Sequence, residues 1–353
     1  MVVSTPFAMK WRGNARYGFH VATLAEIAAH AGVGIGTVSR VLSDSPNVSA
    51  AMRDRVLASA AAVGYDPGAK KRGLAGAPVG LVGVLVTFFD EPSALQRFSG
   101  IVPRLQSNDL HVVLYNIESP SQGRSVLMEL PRNPMLQALI VVSLPLSEGD
   151  ARGLSKARYP VVLVDTWGKG LPSVTIDDRH GGFIATQHLL DLGHRRIGYV
   201  GEPSDNSFGF VSSARREEGY LKALARAGVA ADPALVRHGA HQRGAAKQMT
   251  LDLLDLDQPP TAIVAASDVQ AVGVMEAAES KGLRVPDDLS VIGYDDIDLA
   301  SLMGLTTVRQ PLVRSGMRAA ELVLEAIGGR RRSAFDEQLA VELVVRTTTR
   351  PPR

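Results

Sequence analysis

Three glycines, Gly32, Gly34 and Gly36, stand just before a predicted helix, and this spacing could cradle a phosphate group. A dinucleotide-binding loop of that kind must follow a buried β-strand. The preceding segment instead repeats apolar residues at helical spacing, and the loop lacks the lysine of a Walker motif. The glycines are therefore predicted to shape a turn between two helices, and a nucleotide site is excluded here.

A second group of candidate residues consists of side chains that come directly after predicted strands. In open parallel sheets, ligands bind beyond the carboxyl ends of the strands. Several carboxylates in one cleft repel each other unless a cation offsets them, and Arg216 is the candidate cation. The spacing therefore predicts a small-molecule site. The strand-end candidates are Phe89, Asp90, Asp165, Asp177, Asp178, Ser267, Asp268, Asp295 and Asp296.

Each of these residues has a structural alternative, because polar side chains at strand ends commonly cap the next helix. Asp268 is expected to act more as a cap than as a ligand contact, whereas Asp295 and Arg216 are expected to contact ligand. Arg215 is expected to be solvated or paired with Glu218.

Motifs of common enzyme and metal sites are missing from the sequence. It contains no nucleophile elbow, no HExxH, no EF-hand loop and no cysteine. His188 and His194 bracket a predicted helix six residues apart, a spacing that does not place them on one face. We therefore expect no enzyme activity, no catalytic residue, no metal site and no cofactor.

The composition describes a globular chain of more than one folding unit. Its 353 residues exceed what one core usually serves, and the 45% apolar content is ordinary. No apolar run reaches membrane-spanning length. Residues 1–22 lack the apolar stretch and cleavage site of a secretory signal, so they are predicted to form a flexible tail, and the protein is expected in the cytoplasm.

The charge distribution is uneven along the chain. Residues 1–76 contain nine Lys and Arg against four Asp and Glu, and the remainder contains 29 against 32. Residues 1–76, called the head below, thus have a net charge of +5, and the remainder has a net charge of −3. This difference is typical of a polyanion-binding module joined to a sensing domain. A basic tail on an ordinary enzyme has the same charges, so composition leaves both readings open.

The basic head is predicted to form three short helices. Thr23 is a candidate cap for the first, Gly32 ends it, and the second runs from Ile35 to about Leu42. Ser49 is predicted to cap the third, which ends near Gly64. Helices this short must share one core, which is helix-turn-helix architecture. The third helix is predicted to supply the core residues Met52, Val56, Leu57 and Ala60.

From Val79 onward, short β-branched runs alternate with amphipathic stretches, which predicts parallel, doubly wound α/β sheets. The runs are too numerous for one small sheet, so we expect two lobes. The predicted strands are GLVGVLVT, HVVLYNI, ALIVVSL, VVLVD, SVTID, IGYVG, TAIVAAS and SVIGYDD.

The segment from Thr23 to Pro67, above all its run AGV…TVSRVL, closely resembles the head of LacI/GalR (lactose-repressor) family regulators. The similarity continues in family order through TIDDRHGG, LGHRRIGYVG, RREEGY, AASDVQAVGVM, DDLSVIGYDD, LTTVRQP and VVRTTTR. It implies a helix-turn-helix DNA-binding domain over residues 23–64, a hinge over 65–78, and a periplasmic-binding-protein-like effector-binding and dimerisation domain over 79–353. The expected lobes are about 79–192 with 310–338, and about 193–309 with 339–353.

The resemblance also implies which residues contact DNA. Arg40 is the expected base reader, because a guanidinium bonds bidentately to a guanine edge and discriminates by ~1–3 kcal/mol. Leu74 in the hinge is expected to wedge into a base step from the minor groove. The implied set is Thr23, Thr37 and Ser39 on phosphates, Ile35, Gly36 and Arg40 on bases, and Lys71, Arg72 and Leu74 in the hinge.

The implied partners are palindromic double-stranded operator DNA, a second copy of the chain, and a small effector between the lobes. A carbohydrate or its derivative is the favoured effector, with a nucleobase second, and repression is the expected outcome. A transport receptor would need a signal peptide, and a nicotinamide dehydrogenase a strand-borne glycine loop. The implied effector contacts are Phe89, Asp90, His180, Arg216, Ser267, Asp268, Asp295 and Gln310.

Overall fold

The computed structural model describes residues 24–42, 45, 48–63, 80–330 and 335–353. The chain forms two compact units, Met1–Val79 and Gly80–Arg353. No helix in the described part of the chain is long and apolar enough to cross a membrane.

The described part of the first unit contains three helices around a small apolar core: α1 (Leu24–Ala31), α2 (Ile35–Leu42) and α3 (Ala50–Ala62). Gly32 ends α1 with a φ of 64°, a conformation that glycine adopts without steric cost. The Ser49 hydroxyl accepts a hydrogen bond from the Met52 amide at 3.4 Å, so it caps α3 as the sequence predicts.

The prediction that Leu57 lies in the core of the head is wrong. Leu57 is exposed, whereas Val56 and Ala60 are buried. The helix α3 is short and only one of its faces meets α1 and α2, and Leu57 follows Val56 by one position, about 100° around the helix.

The second unit begins with a six-stranded sheet, in the order β11-β5-β4-β3-β1-β2. Its strands pair in parallel throughout, as their long β-branched runs predict. The strands are β1 (Gly80–Thr87), β2 (Leu110–Ile117), β3 (Leu136–Val142), β4 (Val161–Val164), β5 (Ser173–Ile176) and β11 (Asp336–Leu339). The helices of this lobe are α4 (Pro92–Gln106), α5 (Pro120–Glu129), α6 (Glu148–Ser155) and α12 (Leu312–Ile327).

A second six-stranded sheet has the order β12-β10-β9-β8-β6-β7. Only the edge strand β12 runs antiparallel to its neighbour. The strands are β6 (Ile197–Gly201), β7 (Val236–His238), β8 (Ala262–Ala265), β9 (Ser290–Asp295), β10 (Thr306–Arg309) and β12 (Glu342–Val344). The helices of this lobe are α7 (Asp178–Asp191), α8 (Ser212–Arg226), α9 (Arg243–Leu254), α10 (Asp268–Ser280) and α11 (Asp298–Leu302).

The chain crosses between the lobes after β5, after β10 and after β11. The first crossing corrects the expected boundary at residue 192, because α7 packs against α8 and the second sheet rather than the first. Its buried residues Ala185 and Leu189 share a core with Tyr199 and Tyr220 of the second lobe. An amphipathic helix pattern gives a buried face but not the sheet that it covers, so the sequence placed the boundary one helix too late.

Candidate functional site

The helix α2 exposes one face, and the predicted DNA contacts of this helix lie on it. Ile35 at its start is 53% exposed, Gly36 and Ser39 are exposed, and Thr37 is half-buried. The apolar face buries Val38 and Val41 against α1 and α3. Burial of one face therefore leaves the other accessible to a major groove.

Arg40 lies in the last turn of α2 on the exposed face. Its Nε donates to the Gly36 carbonyl at 3.1 Å, one turn earlier on the same helix. Gly36 takes no left-handed conformation, and a Cβ added there meets nothing within 4 Å. A side chain at position 36 is therefore sterically tolerated, and the glycine keeps this stretch of the surface free of side-chain contacts.

The remaining predicted DNA contacts, Thr23, Lys71, Arg72 and Leu74, lie outside the described residues. Their assignments stay predictions.

The second unit holds a cleft of 910 Å³ lined by residues of both lobes. Of the predicted effector contacts, Arg216, Asp295 and Gln310 line it. A smaller pocket of 330 Å³ lies within the second lobe alone, beside β7, so a ligand there would not touch both lobes. The large cleft is therefore the candidate small-molecule site.

Unusual backbone conformations cluster at this cleft. Phe88, Ser143, Asp165 and Asp295 are lining residues with positive φ, at 48°, 55°, 55° and 119°. Each follows or ends a parallel strand, where the chain turns sharply away from the sheet. A conformation of this kind costs about 1–3 kcal/mol and persists where neighbouring contacts hold it, which is typical of functional sites.

A buried arginine organises the first-lobe side of the cleft. Arg97 of α4 is 4% exposed, and its Nη2 lies 3.0 Å from Asp165 Oδ2. The same nitrogen donates to Oε1 of Gln310 at 3.0 Å, and Gln310 in turn donates from Nε2 to Asp295. Ser143 also donates to Asp165, at 2.7 Å. A continuous polar chain thus joins the two lobes.

Arg216 holds the second-lobe side. Its Nε donates to Asp178 at 2.8 Å, and its Nη1 donates to the Ala266 carbonyl at 2.6 Å and lies 3.8 Å from Asp295 Oδ1. The guanidinium carbon stands 3.7 Å from the centre of the Tyr294 ring, a cation–π contact. Arg216 therefore both lines the cleft and ties α8 to three neighbouring elements.

Close packing of α7 and α8 brings the side chains of Arg216 and Asp178 within ion-pair distance. A Cβ on Gly182 would stand 2.0 Å from the Arg216 carbonyl, and one on Gly219 would stand 2.1 Å from the Arg179 carbonyl. Only glycine permits this approach of two backbones. The sequence motifs TIDDRHGG and RREEGY thus meet in space.

Burial raises the pKa of the Asp295 carboxyl above its usual range, and Arg216 and His241 oppose that effect. Among the described residues, Gln310 donates a hydrogen bond to Oδ1 of this carboxylate, Arg216 lies 3.8 Å from the same oxygen, and Oδ2 accepts no hydrogen bond. Asp295 therefore offers an open acceptor to a ligand in the cleft.

Five of the eight predicted effector contacts do not line the cleft, and three of these, Phe89, Asp90 and His180, face away from it. Phe89 packs against Phe98 in the first-lobe core, because Phe88 takes the left-handed turn and presents its own ring to the cleft. Asp90 is exposed outside the lining, and His180 lies exposed in the first turn of α7. Adjacent residues at a strand end face different ways, and the sequence does not give the turn that decides between them.

Two further predicted contacts have structural roles instead. The Ser267 hydroxyl caps α10 by accepting from the Gln270 amide at 3.2 Å. Asp268 is buried, accepts from the Ile297 amide at 2.9 Å and from the Thr307 hydroxyl at 2.6 Å, and ties β9 and β10 together. Burial, helped by Asp295, raises the pKa of Asp268 to about 8. Neither residue lines the cleft.

Sequence reasoning missed several lining residues, among them Arg97, Trp167, Phe208, Phe210 and His241. Arg97 lies inside a helix, away from any strand end, so no local signal marks it. The two phenylalanines lie in a loop between β6 and α8 with no periodicity. Their role follows from tertiary placement alone.

Arg215 takes the first of its two expected states, because its side chain is half-exposed to solvent. It lines the cleft, and Glu218, its predicted partner, pairs instead with Arg179 of α7. The direction of α8 relative to α7 decides which of the two arginines Glu218 reaches.

A titratable cluster closes one part of the cleft across the lobes. His241 Nδ1 lies 3.3 Å from Glu202 of the second lobe, and its Nε2 lies 3.9 Å from Glu91 of the first. Burial alone would lower the pKa of His241, but the hydrogen bond and charge of Glu202, with Glu91 and Asp295, raise it overall. Burial likewise raises the pKa of Glu91. The His241 ring therefore lies between carboxylates of both lobes, which favour its protonated form.

Comparison with known proteins agrees with both units. Residues 23–68 match the family described as bacterial regulatory proteins, lacI family, and residues 186–349 match the periplasmic binding protein-like domain. The helix-turn-helix is thus matched by the first family, and the two-lobed α/β unit is matched by the second over residues 186–349.

Relatives match along almost the whole length. The HTH-type transcriptional repressor CytR of Escherichia coli K12 is 30% identical over 333 residues, covering 93% of this chain and 96% of its own. The HTH-type transcriptional regulator GalR of the same strain is 31% identical over 342 residues, covering 94% and 97%. A structure of the Lac repressor dimer bound to operator and the anti-inducer ONPF aligns with a TM-score of 0.75 at 29% identity, covering 94% and 99%. The chain therefore belongs to the LacI family of DNA-binding transcriptional regulators.

Proposed function

We propose that this protein is a cytoplasmic homodimeric repressor that binds a palindromic operator and changes its operator affinity when a neutral, hydroxyl-rich effector occupies the cleft. The observation that carries the proposal is the buried polar chain from Asp165 through Arg97, Gln310 and Asp295 to Arg216. This series of connected polar side chains contains groups of both lobes at the place where a ligand would lie. An effector that bonds to it would contact both lobes at once.

The charges of the cleft favour a neutral ligand over an anion. Arg97 and Arg216 are buried and already paired with carboxylates, so a phosphate would have to displace an existing ion pair. Lining carboxylates outnumber lining cations, and carboxylate oxygens accept hydrogen bonds from sugar hydroxyls. A carbohydrate or uncharged carbohydrate derivative therefore suits the cleft better than a sugar phosphate. The lining charged residues are Glu91, Glu118, Asp165, Asp178, Glu202 and Asp295 against Arg97, Arg215, Arg216 and His241.

Regulation follows as a shift between lobe arrangements. A ligand changes such an equilibrium only by its difference in affinity for the two arrangements. A ligand bound to Asp295 and to Arg97 or Asp165 would favour the arrangement in which these groups face each other. The hinge over 65–78 would carry that change to two DNA-binding heads.

A surface for a second copy is supported by exposed apolar residues on neighbouring helices. Leu302 of α11 is 85% exposed, and Leu95 of α4 and Val313 of α12 are also exposed. A hydrogen bond of 3.1 Å from Gln96 to Asp298 ties α4 to α11, and α4 packs on α12. An apolar surface that crosses both lobes suits a subunit interface that responds to lobe movement.

A thermal-shift screen of full-length protein tests the effector class. Sugars, the matching sugar phosphates and nucleosides are compared, since ligand at ~100 times its Kd adds ~2.7 kcal/mol of stability. The proposal expects neutral sugars to raise the Tm and their phosphates to have little effect. Stabilisation by phosphates alone would contradict it.

Operator reading is tested with Arg40→Ala and Arg40→Lys. Binding sites are first selected from random palindromic duplexes with the parent protein, and affinities are then measured by fluorescence anisotropy at fixed salt, because phosphate contacts make binding salt-dependent. Arg40→Ala should lower discrimination against a scrambled duplex about 10-fold or more, and Arg40→Lys should restore only part of it. Unchanged discrimination in both variants would remove Arg40 from base reading.

A further inference from the structure

One part of the cleft is apolar and differs in chemistry from the Asp295 end. At 910 Å³ the cleft reaches the upper part of the ~300–1,000 Å³ range that holds drug-sized ligands, more than a single sugar ring requires. The first lobe contributes Pro120, Pro145, Leu146 and Trp167 to this part. Hydroxyl groups gain nothing from such a wall, so it indicates a ligand with a second, apolar portion.

Trp167 is the clearest feature of that wall. It is 61% exposed although it lines the cleft, and within the described chain it makes no contact with another aromatic ring. A large exposed aromatic surface inside a concave site loses water favourably when a flat ring covers it. Trp167 lies two residues after Asp165, whose left-handed backbone turns the chain where β4 ends.

The second lobe supplies a prefolded aromatic arm, defined here as residues 203–211. Asn206 staples the arm, because its Nδ2 donates to the carbonyls of Pro203 and Phe210 at 3.0 and 2.8 Å, and its Oδ1 accepts from the Phe210 amide at 2.9 Å. Gly209 makes the turn with a φ of 75°. The arm is therefore held in shape by its own bonds, without a ligand.

The arm presents two stacked rings to the first lobe. Phe208 and Phe210 lie 5.1 Å apart between ring centres at an interplanar angle of 13°. Phe208 also meets Phe88 edge-on at 5.1 Å and packs against the first-lobe core. All three rings line the cleft, so aromatic surface of both lobes faces the ligand space.

We infer that the aromatic arm and Trp167 form a second subsite that binds a flat, apolar ring carried by the effector. The inference rests on the proposed function, since it assigns the remainder of the effector to the Asp295 end. An effector made of a hydroxylated ring joined to an aromatic or heteroaromatic ring fills both parts. The ring portion contacts both lobes, so this subsite also favours the arrangement in which the arm meets Phe88.

The subsite is tested directly with 4-fluorobenzyl alcohol as a neutral ring probe, observed by 19F NMR in the presence of full-length protein. The parent should broaden the probe signal, and Trp167→Ala and Phe208→Ala should each weaken its binding about 5- to 10-fold. Met128→Ala is the matched control, because Met128 is an exposed apolar residue of α5 outside the cleft lining, and it should behave as the parent. Equal broadening by parent and all three variants overturns the subsite. Absence of broadening with the parent overturns it as well.

Paired glycosides separate the subsite from the proposed function. Methyl and phenyl glycosides of the common hexoses are compared by thermal shift with parent, Trp167→Ala and Asp295→Asn. We expect the phenyl member to bind better, Trp167→Ala to remove that preference, and Asp295→Asn to weaken both members. Equal binding of the two members by parent and Trp167→Ala overturns the subsite and leaves the sugar proposal intact. Probe binding at Trp167 without binding of any glycoside keeps the subsite and overturns the sugar proposal.

Discussion

Arg97 of the first lobe donates from Nη2 to Oε1 of Gln310 at 3.0 Å, across 213 positions of the sequence. Both side chains are buried, and Gln310 also donates to Asp295. This bond is the junction through which the polar groups of one lobe reach those of the other. A ligand that alters it alters the contact between the lobes.

The first prediction concerns Gln310. Gln310→Leu keeps the volume but leaves the Arg97 donor and the Asp295 acceptor without this partner. A buried group that loses its bond costs about 1–3 kcal/mol, so urea denaturation should show a loss of that order. Gln96→Ala is the matched control, because it removes an exposed interlobe bond to Asp298 and should stay within about 0.5 kcal/mol. If Gln310→Leu lowered the free energy of unfolding no more than the small change expected for Gln96→Ala, the buried bond would not stabilise the fold.

The second prediction compares two adjacent arginines. Arg216→Ala leaves Asp178 buried without its cation, which typically costs about 3–5 kcal/mol. Arg215→Ala removes a half-exposed side chain that forms no ion pair with a described residue, so its effect should stay within about 0.5 kcal/mol. Chemical denaturation of the full-length variants gives both values. Similar stability of the two variants would mean that Arg216 is held less tightly than its contacts indicate.

The third prediction compares two glycines of the head. Gly36→Ala should stabilise α2 by up to about 1 kcal/mol, because the position is helical and open space surrounds an added Cβ. Gly32→Ala should destabilise by about 1–2 kcal/mol, because its φ of 64° is strained for any residue with a Cβ. Hydrogen exchange of peptides from residues 24–62, measured by mass spectrometry without DNA, should slow in the first variant and accelerate in the second. Acceleration in both would show that Gly36 has a structural role that its open surroundings do not reveal.

The fourth prediction concerns pH. The folded pKa of His241 lies above its ordinary value, so the folded state binds this proton more tightly than the unfolded state. The resulting stability is fully present below the unfolded pKa, about 6.5, and is lost as pH rises through the folded value. His241→Gln should therefore lower the free energy of unfolding at pH 6 and change it little at pH 9.

The control for this experiment is His111→Gln, which alters an exposed histidine of β2. The change that this substitution makes in the free energy of unfolding should be similarly small at pH 6 and at pH 9. The groups that face His241 are Glu202, Glu91 and Asp295, so Glu202→Gln should reduce the pH dependence in the same direction. An effect of His241→Gln that grows from pH 6 to pH 9 would contradict the assignment.

Local chemistry determined much of this protein before any tertiary contact is considered. Apolar spacing and the turn after Gly32 placed α2 at Ile35–Leu42, and a serine before an apolar run placed the cap of α3. Runs without charged residues predicted the full extents of β1 and β6, because a strand buried on both faces cannot carry alternating polar residues. The motif TVSRVL lies within the single short helix α2. It could therefore be recognised from local sequence, without any tertiary contact.

Tertiary structure alone decided which residues share the cleft. Arg97 lies within a helix, Phe208 within a loop, and Asp295 at a strand end, and they line one cavity because two sheets bring their edges together. Strand-end position predicted Asp295 correctly as a lining residue but also predicted Phe89 and Asp268, since the backbone turn that aims each side chain depends on distant neighbours. Tertiary structure also decided that α7 belongs to the second lobe. An amphipathic pattern predicts that a helix has a buried face, but it does not show which sheet that face covers.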